Sequence, residues 1–171
     1  MLKIAYSSIY KHQLPEGHRF PMDKYELLPE QLLYEGIVGE ENFFEPQPID
    51  EKWILNTHTA EYWTKLKNLK LSKSEIRSTG FPLSEKLVHR EISILDGSVQ
   101  AAIYALKYRI AMNIAGGTHH AFADRGEGFC LLNDIAVTAN YLIENKLAKK
   151  VLVIDLDVHQ GNGTASIFYA N

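Results

Sequence analysis

Val151-Leu-Val-Ile-Asp-Leu-Asp-Val-His-Gln-Gly-Asn-Gly163 is the stretch on which the fold turns. Val151 to Ile154 is an apolar, β-branched run that follows Lys149 and Lys150 and ends in acids. That pattern reads as a buried parallel strand. Asp155, Asp157 and His159 fall at i, i+2 and i+4, which on an extended backbone places them on one face. Gly161 and Gly163 break the strand at once, so the acids and the imidazole stand at its carboxyl end. Open α/β sheets bind their ligands at that end. Two carboxylates and a histidine converging there suit a zinc-type metal site.

Working outward, Asn133 or Asp134 caps a helix through about Lys146, with Ile135, Ala139 and Leu142 or Ile143 inward. Before it lie two loops, Gly116-Gly-Thr-His-His120 and the glycine-rich Asp124 to Gly128. Ala111 to Ala115 forms a short strand leading into the first. Ser84 to Tyr108 is helical, with Val99, Ala102, Ile103 and Leu106 on one face and a possible break at Asp96-Gly97-Ser98. Towards the start, Leu2 to Ser7 reads as a strand. Asp23 caps a helix to about Gly36, striped by Tyr25, Leu28, Leu32 and Leu33, with Pro29 positioned to kink it. Phe43 to Asp50 is extended, a helical pattern runs from His58 to Leu71, and Ser72 to Gly80 is a short helix. On the far side, Thr164 begins another. Strands alternating with helices predict an α/β fold with parallel strands.

The chain of 171 residues suffices for one core, and 46% hydrophobic with 23% charged residues is ordinary for a soluble protein. A net charge of −3 offers no electrostatic reason to bind nucleic acid. The single cysteine, Cys130, excludes an internal disulfide or a cysteine-built zinc knot and suits a reducing cytoplasm. No run approaches the roughly 18 apolar residues that span a bilayer. Cys130 reads as a small buried hydrophobe, and Trp53, Tyr62 and Trp63 as core aromatics.

Taken singly, the His119–His120 pair, the Gly126 to Gly128 turn and the Asp155 to His159 run each have a plain structural reading. Their order changes the weighing. Gly116-Gly-Thr-His-His-Ala121, Gly128-Phe-Cys-Leu-Leu-Asn-Asp134 and Asp155-Leu-Asp-Val-His-Gln-Gly-Asn-Gly163 together resemble the histone deacetylase family. Gly17-His-Arg-Phe-Pro-Met22, with Phe81-Pro82 and Arg90, is similar to its bacterial, class IV-like branch. The resemblance implies a three-layer α-β-α fold with a mainly parallel sheet, residues 1–171 being the N-terminal part of a single deacetylase domain.

By that resemblance, Asp157 and His159 are zinc ligands and His120 is the general base and later acid. His119 is its electrostatic partner, oriented by Asp155. Asn162 orients His120 where many members carry an Asp. Gly128 and Phe129 line the acyl-lysine channel, and the backbone carbonyls of Asp155, Asp157 and His159 hold a potassium ion. His18 and Arg19 are candidates for an inner cavity that handles acetate. The family's third zinc ligand, an Asp, and its oxyanion Tyr have no counterpart in the sequence, so the 171 residues alone are expected to be inactive. The expected substrate is an acetylated lysine peptide. Alternatives are an acetylated polyamine or other small amine, a non-catalytic binder of acylated ligands, and, less well supported by the carboxylate count, a manganese hydrolase of arginase type.

Overall fold

The computed structural model describes residues 1–169. In chain order the elements are β1 (Lys3–Ala5), α1 (Lys24–Tyr34), β2 (Phe43–Phe44), α2 (Glu51–Leu55), α3 (Ala60–Lys67), α4 (Lys73–Thr79), α5 (Glu85–Tyr108), β3 (Ala111–Asn113), α6 (Asp134–Glu144) and α7 (Asn162–Phe168). The three strands form a parallel sheet in the order β2-β1-β3. Ile4 stands opposite Phe43 on one side and Met112 on the other. The chain therefore leaves β1 towards one side and returns to the other. A parallel sheet opens its ligand crevice at such a reversal, beyond the carboxyl ends of the strands.

The α5 helix runs unbroken for 24 residues, contrary to the division expected at Asp96-Gly97-Ser98. Gly97 is no hinge. A Cβ there would lie 2.5 Å from the Tyr10 hydroxyl and 3.2 Å from the Ala5 methyl, so glycine lets α5 press onto β1. Asp96 and Ser98 send their side chains outside the helix, to the Gln47 N–H and the Asp134 carboxylate. Leu87, Val88, Ile94, Leu95 and Val99 bury the helix in the main core. Beside them Arg90 and Glu91 form a buried pair, with Arg90 also donating to the Tyr10 carbonyl at 2.7 Å. Pro29 is accommodated inside α1, where Tyr25 and Pro29 face inward and Leu28 is exposed rather than part of the buried stripe.

Two sequence expectations are corrected. Asn133 caps α6 by accepting the Ala136 N–H, but the buried residues of the helix are Asp134, Ala136, Val137 and Ala139. Ala139 is thus buried as expected, while Ile135 and Leu142 are only half-buried and Ile143 is exposed. The second correction concerns Val151 to Ile154 itself. It takes no regular secondary structure, joins no sheet and is not buried: exposure runs 36%, 80%, 37%, 73%. The alternation is that of a strand lying on helices by one face. What is lacking, among the described residues, is any neighbouring strand to complete its ladder.

Candidate active site

The chain leaves β3 into Gly116 and Gly117 and delivers His119 and His120 beyond the carboxyl edge of the sheet. The two rings lie 4.2 Å apart between centroids. His119 is buried, and its Nδ1 is 2.7 Å from Asp155 Oδ2. A carboxylate only accepts, so Nδ1 carries the proton and Nε2 the lone pair. That bond, with the Asp157 N–H donated to the same carboxylate, holds the Asp155 carboxyl below its ordinary range. His120 Nδ1 is 2.7 Å from Asn162 Oδ1. The Gly163 N–H donates to that oxygen too, which identifies it as the amide carbonyl. Nδ1 of His120 therefore donates as well, and Nε2 of both imidazoles is left to accept a proton.

Asp157 and His159 follow in tight turns rather than along a strand. The His159 N–H donates to Asp157 Oδ1 at 2.7 Å, and the His159 ring nitrogen Nδ1 lies 3.0 Å from the same oxygen. Those two contacts, in that order, pull the Asp157 carboxyl below its usual value. The His159 ring is 5.9 Å from that of His120. Asp155, Asp157 and His159 thus converge with the imidazole pair as the sequence implied. An oxygen and a nitrogen donor side by side fit a first-row divalent ion in kind. They do not fit in number: a catalytic zinc takes three protein ligands. No group of three or more His, Cys, Asp or Glu able to hold a metal exists among the described residues.

A cavity of about 530 Å³ opens here, its wall including Arg19, Lys24, His120, Phe129 and His159. Gly128 and Phe129 both have positive φ, 53° and 66°, and make a two-residue turn between the paired Glu127 and Cys130. Such turns match the twist of the strands they join. Their N–H groups are pinned by the carbonyls of Ser78 and Thr79 at 3.0 and 2.7 Å. A Cβ on Gly128 would sit 2.8 Å from His120 Cδ2, so glycine sets how closely this wall approaches the imidazole. The Arg19 guanidinium lies 4.9 Å from the Phe129 ring centroid. A larger hollow of about 800 Å³ on the outer face of α1 has Lys24 and Glu30 as its only ionisable groups besides Tyr34, and no imidazole. The chemistry is not there.

His18 does not line the cavity. Its Nε2 bonds the Gly80 carbonyl at 2.8 Å and its Nδ1 accepts from the Phe20 N–H at 3.2 Å, so both nitrogens are spent on structure. Cys130 is buried, which pushes its thiol up to about 12, and it serves as packing. Sequence reasoning missed Lys24, whose ammonium lies 4.9 and 5.0 Å from the Phe20 and Tyr25 rings. Burial, reinforced by the nearby Arg90, depresses its pKa. Its place in the first turn of an amphipathic helix gave no sign of a cavity.

The fold and site together define a parallel α/β protein with an orienter-backed imidazole pair beside two metal-type donors. The chain matches the histone deacetylase domain over residues 18–171 and belongs to that family. It is 41% identical over 165 residues to an uncharacterized protein of Picosynechococcus sp., covering 96% of this chain and 55% of that one. Identity to the acetoin utilization protein AcuC of Staphylococcus aureus is 29%, over 99% of this chain and 46% of that protein. For histone deacetylase 2 of Arabidopsis thaliana it is 30%, over 95% and 44%. The crystal structure of a histone deacetylase homologue from Aquifex aeolicus superposes with a TM-score of 0.84 at 28% identity, over 98% of this chain and 48% of that one. The chain spans about half the length of the relatives it matches.

Proposed function

We propose that this chain carries the proton-transfer half of a zinc-dependent deacetylase that hydrolyses the amide of acetyl-lysine. The observation that carries the reading is the meeting of His119 and His120, each donating from Nδ1, with Asp157 and His159 at one cavity. Asp157 and His159 would hold the zinc, with further ligands from outside the described residues. When bound, such an ion polarises the amide carbonyl.

The chain's own residues do the rest. His120 Nε2 takes a proton from the attacking water, whose oxygen bonds to the carbonyl carbon. The same imidazole returns the proton to the nitrogen as the carbon–nitrogen bond breaks, giving a carboxylic acid and an amine, and the acid's proton then passes to the amine to leave carboxylate and ammonium. Asp155 steadies positive charge near His119 and fixes its tautomer. Asn162 orients His120 without adding charge, which leaves the proton free for the second transfer. Phe129, Phe20 and the Gly128 backbone give the acyl-lysine stem an apolar wall.

The test is hydrolysis of an acetyl-lysine peptide by the zinc-loaded product of the intact reading frame, with an acetylated polyamine alongside. Faster turnover of the peptide supports the proposal. Strong preference for the polyamine would replace the substrate, and tight zinc binding without turnover of either would make the protein a binding module. The 171 residues alone are expected to be inactive, since two metal donors stand at the cavity among the described residues where catalysis needs three.

A further inference from the structure

The imidazole pair needs more than Asp155 and Asn162 to stand where it does, and the missing constraint lies one layer further in. Asp134 is buried at the first turn of α6, in salt-bridge contact with no cation among the described residues. Its carboxylate is instead surrounded by neutral donors. The Gly117 N–H reaches both oxygens, at 3.0 and 3.1 Å. The Thr118 N–H and hydroxyl reach Oδ1 at 2.7 and 2.6 Å, and the Ser98 hydroxyl reaches Oδ2 at 2.5 Å. In return the Asp134 N–H donates to the Thr118 hydroxyl at 3.0 Å. Bonds to an ionised acceptor are about twice as strong as neutral ones. The start of a helix favours the negative charge.

We propose that Asp134 is the positioning residue of the imidazole pair. It fixes the backbone of Gly117 and Thr118, the two residues immediately before His119. The neighbouring Asn133 closes the other side. Its Nδ2 donates to the Ala121 carbonyl at 2.9 Å and to the Thr164 hydroxyl at 3.0 Å. The Thr164 N–H donates to the His119 carbonyl at 3.0 Å. One dipeptide thereby registers the imidazole loop against the start of α7, where Asn162 meets His120. Only the catalytic consequence of this device rests on the deacetylase reading; the geometric claim does not.

The experiment follows the His119 Nδ1 proton, donated to Asp155, by nitrogen-edited NMR of histidine-labelled protein. Asp134→Asn is expected to speed its exchange with water at least about tenfold, the factor that corresponds to about 1.4 kcal/mol of lost ordering. The comparison is made where circular dichroism gives wild-type helix content. Leu66→Ala, which destabilises the buried face of α3 away from the loop, should leave that exchange unchanged. Exchange within about twofold of wild type in folded Asp134→Asn overturns the proposal. Should that variant not fold, Thr118→Val removes the hydroxyl pair while keeping the backbone bonds. It must then speed exchange in the same direction, and unchanged exchange overturns the proposal equally. Turnover of an acetyl-lysine peptide by the intact protein is read separately, with kcat expected to fall and KM to hold. If the wild type turns nothing over, the deacetylase reading fails while the exchange measurement still decides the positioning one.

Discussion

An imidazole that must first take a proton and then give it away is best held by a partner that fixes its tautomer without trapping the charge. Asn162 is such a partner for His120, whereas His119 faces the carboxylate of Asp155. The two neighbours are thus made unequal by their orienting groups, and His120 is the one suited to shuttle. His120→Ala in the zinc-loaded intact protein should lower the rate by about two to four orders of magnitude, as general acid–base losses do. Zinc content, measured by elemental analysis, should barely change, because the proposed metal donors are Asp157 and His159 rather than His120. Loss of the metal would make His120 a ligand and overturn its assignment as the shuttle.

At the scale of elements, the turn between α2 and α3 is tied to the start of α6 through His58. The ring Nε2 of His58 accepts the Asn133 N–H at 3.0 Å, and Nδ1 donates to the Phe122 carbonyl at 3.0 Å. A neutral imidazole satisfies both, and burial drives its pKa down to about 4. The unfolded chain protonates His58 near 6.5 and the folded chain only near 4, so the unfolded state binds more protons between those values. Stability is then full above about pH 6.5 and falls as pH drops towards 4. For His58 alone the loss from pH 7 to pH 5 is about 2 kcal/mol. Urea unfolding at the two pH values measures it. His58→Gln should remove that share of the pH dependence, and an undiminished slope would assign it elsewhere.

Elements were legible from sequence where local chemistry set them. Ser72 with Glu75 forms a reciprocal cap at the start of α4, and Asn133 caps α6. The unbroken α5 was not legible, because the reason for Gly97 is β1 pressing against it from 92 residues earlier in the chain. The face of α6 was legible only in part: Ala139 is buried as its spacing predicts, but Asp134 is drawn inward by a loop, and a charged residue does not announce its own burial. The imidazole, carboxylate and glycine residues of the site were readable because their types and order carry chemistry. Lys24 and Asp134 were not, since each has an ordinary helical role in sequence.

At the scale of the whole chain, the unsatisfied feature among the described residues is the run from Val151 to Leu156. Val151 and Val153 rest beside Ala139, Ile143 and Phe168, while Leu152, Ile154 and Leu156 face outward. No backbone hydrogen bond links residues 151–156 to another segment among the described residues, and β3 pairs on one side only. Open, apolar strand edges are templates for pairing with another strand. In dilute solution the amides of 151–156 should therefore exchange hydrogen close to the rate of an unfolded peptide, while those in the middle of α5 are protected by at least about a thousandfold. Raising the protein concentration should slow exchange in 151–156 selectively, because self-association is what an isolated edge of this composition favours. Leu152→Lys with Ile154→Lys should abolish that concentration dependence and leave helix content unchanged, since both side chains touch solvent rather than the core. Slow exchange at every dilution would mean that the run already has a strand partner within the chain, and the open-edge account would fall with it.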